Sequence, residues 1–168
     1  MQRNLVDFEV ILRTLNRHKV DFIVVGGVCA VFHGAPVQTF DLDVVHSRDS
    51  ANLDRLEAAL TELGAHYREH TNKRLVPVAA RMGTLGHHLL QTTAGPLDVL
   101  GGIAKQRDYE RLLPSSSKYV IDDDLTVWIL NLAELIETKQ ETGRTKDLLV
   151  LPVLRRLQDE VDAAEKGE

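Results

Sequence analysis

A single cysteine, Cys29, is all the thiol chemistry in this chain, so no internal disulfide can form and a reducing, cytoplasmic setting is expected. Long hydrophobic runs are equally scarce. The longest, Phe22 to Phe32, is too short to cross a bilayer and is broken by Gly26 and Gly27, so no membrane span or membrane partner is expected. The uninterrupted apolar core of a secretory leader is also missing, because acidic and basic residues are scattered from Asn4 to Lys19. Nor is there an excess of positive charge: 25 Asp and Glu against 20 Lys and Arg leave a net charge of -5. That balance excludes a uniformly basic nucleic-acid binder, but it leaves room for RNA at a local basic patch such as Lys139, Arg144 and Lys146. Internal repeats, low-complexity tracts and interdomain linkers are lacking too. With 43% hydrophobic residues in 168, the chain can bury one core. It is expected to form a single domain over 1–168, with its core at about 21–154 and a loose tail from Ala163 to Glu168.

What is present concentrates on three carboxylates. Asp41-Leu42-Asp43 places two acids at i and i+2, which on a strand point from the same face and repel one another. A hard divalent cation such as Mg2+ takes oxygen ligands in that arrangement, usually together with substrate phosphates. Before the pair, Phe22-Ile23-Val24-Val25 reads as a buried strand that runs through Gly26-Gly27 into a helix beginning near Val28. At such a junction the backbone can approach a ligand closely, and the free N–H groups of the helix start attract phosphate. A phosphate cradle beside a metal site suits phosphoryl or nucleotidyl transfer. Later, Gly95-Pro96-Leu97-Asp98-Val99 offers a third carboxylate, expected beside the first pair on one strand of a hairpin.

In these residues the chain resembles the DNA polymerase β-like nucleotidyltransferase superfamily, through Val25-Gly26-Gly27, Asp41-Leu42-Asp43 and Leu97-Asp98-Val99 in that order. More narrowly, it looks like small bacterial nucleotidyltransferases that include toxins of abortive-infection toxin–antitoxin pairs, where a His-Gly such as His33-Gly34 is common. The likeness runs from about Asp21 to Leu154. Two departures are visible: Pro36-Val37-Gln38-Thr39-Phe40 stands where members of the narrower group often carry an Arg, and Val28 where many have a Ser. The resemblance implies an α/β nucleotidyltransferase fold, a mixed sheet flanked by helices. It also implies that Asp41, Asp43 and Asp98 hold Mg2+ or Mn2+, that Asp98 helps activate the acceptor hydroxyl, and that Gly26 and Gly27 contact phosphate. The acceptor would be an RNA 3′ end, a protein or a small molecule, and an antitoxin would be a possible partner. An alternative is a non-catalytic module that keeps the fold and binds nucleotide, RNA or protein. An aminoglycoside-type enzyme is a third reading, against which stands the expectation that its larger acceptor-binding domain has little room here.

Periodicity supplies the frame around the site. Leu5, Phe8, Ile11, Leu12 and Leu15 predict a helix from Asn4 to about His18, followed by a strand over Asp21 to Val25 and another over Phe40 to Val45. Leu53, Leu56, Leu60 and Leu63 predict a helix stopped by Gly64. The stretch from Ala65 to Gly86 is hard to read, although Leu75-Val76-Pro77-Val78 suggests a short edge strand. His88–Thr92 and Leu97–Leu100 predict a hairpin turning at Ala94-Gly95-Pro96, and Lys118–Ile121 with Leu125–Ile129 a second one turning at the solvated Asp122-Asp123-Asp124.

The C-terminal third adds cations. Asn131 and Glu134 predict a capping box opening a helix whose apolar face holds Leu132, Leu135 and Ile136. Lys139 lies one turn on, on that same face, and an inward lysine needs an anionic partner such as a triphosphate. Gly143 ends the helix, and Arg144-Thr145-Lys146-Asp147 opens another with a kink or restart expected at Pro152. Arg144 and Lys146 join Lys139 as candidate nucleotide-binding residues. Other groups carry less. His66 and His70 have zinc-ligand spacing but no evident further ligand, His87 and His88 should face opposite sides of a strand, and Cys29 and Trp128 read as packing residues.

Overall fold

The computed structural model describes residues 7–69 and 72–167. Helix α1, Phe8–Arg17, is capped by Asp7, whose side chain accepts from the N–H of Val10, and it buries Ile11, Leu12 and Leu15. The start expected at Asn4 lies outside the described residues. Strand β1, Phe22–Val25, is buried along its whole length and passes directly into α2, Gly26–Phe32. Strand β2 is Leu42–His46 and helix α3 is Ser50–Glu62, with Gly64 at a φ of 62° just beyond it, in the left-handed conformation that favours glycine.

There follow β3 (His66–Tyr67), α4 (Ala79–Met82), β4 (His87–Thr92), β5 (Gly95–Leu100), β6 (Gly102–Ile103), β7 (Arg107–Asp108) and α5 (Tyr109–Leu112). A 3-10 turn, Leu113–Ser115, leads into β8 (Ser116–Asp122), β9 (Leu125–Leu130), α6 (Leu132–Thr142) and α7 (Thr145–Lys166).

Seven strands form one mixed sheet in the order β3-β4-β5-β2-β1-β9-β8, in which β2 pairs parallel with β5 and β1 parallel with β9. The remaining neighbours are antiparallel. The central strands β1, β2 and β5 are the most apolar, and the main core gathers there: Ile23, Val24, Leu42, Val44, Leu97 and Val99 are fully buried. Buried Asn52 fastens α3 to the sheet, donating to the carbonyls of Asp21 (3.1 Å) and Ser47 (2.9 Å) while accepting from the N–H of Asp21 (2.7 Å).

Several expectations are corrected. Leu75-Val76-Pro77-Val78 is not a strand: its one sheet-like bond is from the N–H of Tyr67 to the carbonyl of Leu75 (2.9 Å), and Pro77 has no N–H to extend a ladder. The first hairpin turns at Thr93-Ala94, and Gly95 and Pro96 already belong to β5. Asn131 and Glu134 form no capping box, because Asn131 accepts from the Ser117 hydroxyl and Glu134 is drawn to Arg107. Helix α7 runs unbroken through Pro152. Pro152 and Leu148 are both exposed, so water can serve the Leu148 carbonyl that loses its donor. The tail expected to be loose from Ala163 is helical as far as Lys166, in a stretch of good helix formers; Glu168 lies outside the described residues.

Candidate active site

Parallel pairing of β2 with β5 sets Asp43 directly beside Asp98. Asp41 lies in the bend just before β2 and not on the strand as expected, so strand alternation does not place it. A turn does. The Thr39 hydroxyl donates to the Asp41 carbonyl (3.1 Å) and holds the bend against the strand end. Carboxylate oxygens of Asp41, Asp43 and Asp98 thereby come within 4.8 Å of one another, the only such cluster of acidic, His or Cys ligand atoms among the described residues.

The glycines have steric reasons to be glycines. Gly26 sits at a φ of 67°, and a Cβ there would fall 2.1 Å from Oδ2 of Asp43. A Cβ on Gly27 would fall 2.7 Å from Oγ1 of Thr39. Gly26 therefore makes room for Asp43 and Gly27 for the threonine that holds the Asp41 bend, and the backbone of both lines the cleft above the carboxylates. His33 and Gly34 prove structural: the His33 ring donates to the Leu130 carbonyl (2.7 Å), pinning the end of α2 to β9, and Gly34 takes a φ of 95°.

Three carboxylates at this spacing are electrostatically unhappy. Burial, followed by the charges of Asp41 and Asp98, pushes the Asp43 carboxyl up to about 8. Burial raises Asp98 as well, although Arg68 pulls the other way. An all-oxygen, like-charged donor set of this size fits a hard divalent ion such as Mg2+ or Mn2+. Arg68 is the one group at this cluster that sequence reasoning missed altogether. Its guanidinium donates to Oδ1 of Asp98 (2.7 Å) and to the Leu90 carbonyl (2.7 Å), from just beyond the two-residue strand β3. So short a strand after an irregular stretch leaves no periodicity to read.

The cations expected from the C-terminal third do reach the cleft, but with a partner of their own. Asp147, 1% exposed, accepts from Arg144 Nε (2.8 Å) and from Lys139 Nζ (3.4 Å). Burial alone would raise its pKa, yet the Arg144 hydrogen bond and the Lys139 charge outweigh it, and the carboxyl lies below the usual range. The inward lysine is thus answered within the chain, and the argument that it needs a triphosphate is corrected. Gly143, at a φ of 63°, turns the chain sharply enough for α7 to present Asp147 back to α6. Lys146 is exposed on the cleft rim, where its charge favours the ionised form of Asp43.

Two lobes open on either side of the carboxylates, of about 410 and about 420 Å³, sharing Gly26, Asp41, Asp43, Lys139, Arg144 and Lys146. One continues past Gly27 toward Phe40 and Leu149, the other past Asp98 toward Arg68 and His87. The weaker candidates stay outside the chemistry. His87 meets the Gly102 carbonyl (3.0 Å) and His88 the Tyr67 hydroxyl (2.8 Å), so the two do not chelate together. His66 lies on β3, and His70 is outside the described residues. Cys29 is fully buried, and burial pushes its thiol up to about 12, the opposite of an activated nucleophile.

No family model matches the sequence, and no curated protein matches it. Solved structures do. A protein of Thermotoga maritima assigned as a nucleotidyltransferase superposes with a TM-score of 0.55 at 17% identity, over 91% of each chain. The antibiotic-resistance factor ANT(2″)-Ia does so in solution (TM-score 0.56, 13% identity, 95% of this chain and 91% of that one). Its crystal structure with adenylyl-2″-tobramycin gives a TM-score of 0.57 at 14% identity, over 95% and 89%. ANT(2″)-Ia is therefore spanned almost completely, which corrects the expectation that an antibiotic-modifying enzyme needs a much larger chain than this. No helix is long and apolar enough to cross a membrane among the described residues. With its mixed sheet flanked by helices and its carboxylates brought together by the parallel pairing of β2 with β5, the chain has the nucleotidyltransferase fold.

Proposed function

We propose that the protein is a metal-dependent nucleotidyltransferase that moves a nucleoside monophosphate from a nucleoside triphosphate to a hydroxyl acceptor. The observation that carries this reading is the convergence of Asp41, Asp43 and Asp98 in one cleft with Lys139, Arg144 and Lys146. Asp41 and Asp43 would hold Mg2+ or Mn2+ together with triphosphate oxygens, and Asp98 would complete the ligand set. Bound there, the ion supplies Lewis-acid polarisation of the phosphate and lowers the pKa of the attacking hydroxyl.

The chain's own groups do the rest. Gly26 and Gly27 bring backbone close to the phosphates, and Asp98, facing the second lobe, orients the acceptor hydroxyl and helps take its proton. Lys146, exposed on the rim, and Lys139 with Arg144, which share Asp147, offset the charge that grows as pyrophosphate departs. The acceptor is an RNA 3′ end, a protein side chain or a small molecule; the near-complete overlap with ANT(2″)-Ia supports keeping the last of these. A role as the toxin of a toxin–antitoxin pair, with an antitoxin as partner, follows from the sequence resemblance alone, and the cytoplasm as its setting from the lone cysteine.

The test is incubation with each labelled nucleoside triphosphate, Mg2+ and pools of RNA, protein and small molecules, followed by locating the label. Wild type should transfer label. Asp98→Asn should abolish transfer while nucleotide still binds. One observation favours a second reading, a non-catalytic module: Arg68 already occupies one oxygen of Asp98. Tight nucleotide binding by wild type with no pyrophosphate released from any acceptor pool would decide for that module.

A further inference from the structure

The lobe that leads away from Asp98 has an unusual lip. Phe40 stands immediately before Asp41 and is 72% exposed, and Leu149 on α7 is 75% exposed; both line the same lobe as the carboxylates. Val37, Val150 and Val153 line it too, so its outer end is an apolar wall whereas its inner end is acidic and cationic. Large apolar side chains left this open beside a polar site mark a place where something apolar docks. Neither residue is needed for the core, which is built from other side chains. Among the lip residues the polar group without a hydrogen bond to the protein is the amide of Gln38, since the Thr39 hydroxyl is committed to Asp41.

A ligand complementary to both ends is anionic where it meets the cations and apolar where it meets Phe40 and Leu149, with a polar atom within reach of Gln38. On the basis of the nucleotidyl-transfer reading, we propose that this lip is the nucleobase subsite, with Phe40 as the stacking platform, Leu149 as the opposing apolar contact and Gln38 as the edge reader. The triphosphate then lies inward, over Asp41 and Asp43, and the lobe past Asp98 is left for the acceptor. Aromatic stacking tolerates any base, so affinity comes from Phe40, whereas discrimination among bases comes from Gln38, whose amide can both donate and accept.

The experiment is calorimetric titration of the Mg2+-loaded full chain with the four nucleoside triphosphates and, separately, with inorganic tripolyphosphate, which has the charge but no base. Wild type should bind at least one nucleoside triphosphate about tenfold or more tightly than tripolyphosphate. Phe40→Ala should lose roughly 10- to 100-fold in nucleotide affinity and nothing for tripolyphosphate, and Phe40→Trp should restore the loss. Gln38→Ala should narrow the differences among the four nucleotides. Tripolyphosphate also reports on folding of each variant, because its site does not include Phe40. Nucleotide binding by Phe40→Ala within twofold of wild type, or tripolyphosphate binding as tight as any nucleotide, overturns the base subsite and leaves the metal and phosphate site standing. Binding of neither probe by wild type overturns the nucleotidyl-transfer reading and the subsite with it.

Discussion

Two groups of three carboxylates in this molecule have opposite fates. On α6, Glu134, Glu137 and Glu141 lie along one helical face and converge on the guanidinium of Arg107, whose side chain is 7% exposed on β7. Each of the three accepts directly from Arg107, Glu137 at 3.0 Å. Where β2 pairs with β5, Asp41, Asp43 and Asp98 come within 4.8 Å of one another, but among the described residues the arginine bonded to them, Arg68, touches Asp98 alone. Where a carboxylate cluster is structural, the chain supplies the cation at its centre. Where it is not, the centre faces a cleft and the charge remains to be answered from outside.

The largest difference should come from removing the two arginines. Arg107→Met leaves the partly buried Glu134 and Glu141, and the exposed Glu137, without their common partner and should cost about 3 to 5 kcal/mol in urea unfolding, whatever the metal concentration. Arg68→Met should cost less, about 1 to 2 kcal/mol, because Arg68 is itself more exposed than Arg107 and buried Asp98, whose pKa burial already raises, can take up a proton once its partner is gone. It should also tighten Mn2+ binding several-fold, by removing a cation that competes for Asp98. Equal destabilisation by the two would erase the distinction.

Neutralising one acid in each cluster should then give opposite signs. Asp43→Asn removes a carboxyl that must take up a proton on folding, and at neutral pH should stabilise the metal-free protein by about 1 to 2 kcal/mol, at the expense of metal binding. Glu134→Gln weakens a charge-assisted bond to Arg107 and should destabilise by about 1 kcal/mol. Thermal melts in a chelator read both.

A smaller effect per step is set by pH. The Asp43 carboxyl ordinarily loses its proton near 3.8 and in the fold keeps it to about 8. Between those values the metal-free folded state holds a proton that the unfolded chain has released. This group's contribution to stability is therefore fully present below about 3.8, falls as pH rises toward about 8, and is flat above it. A bound ion must displace the same proton. Apparent Mn2+ affinity should rise with pH by up to about tenfold per unit, levelling near 8, and Asp43→Asn should remove that slope.

The asymmetry between what the sequence reveals and what it conceals follows the same physics. Strand β1, the glycines, Asp43 and Asp98 are legible because buried apolar runs and tight turns constrain residue type locally. Arg68 and Arg107 are not, because each meets its carboxylates across 27 to 34 positions of chain and sits in or beside a two-residue strand. Asp147 was visible as a residue but not as the buried anion that holds Lys139 and Arg144, since its burial comes from α6 folding back on α7 around Gly143. Pro152 misleads for a related reason: the carbonyl it abandons, on exposed Leu148, stays open to water, and the helix runs on.

Binding of a divalent ion to the unanswered cluster is the central claim, and calorimetric titration of metal-free protein with Mn2+ tests it most directly. Wild type should give saturable binding, and the double variant Asp41→Asn with Asp43→Asn should lose it while remaining folded. Unchanged Mn2+ binding in the double variant would contradict the account.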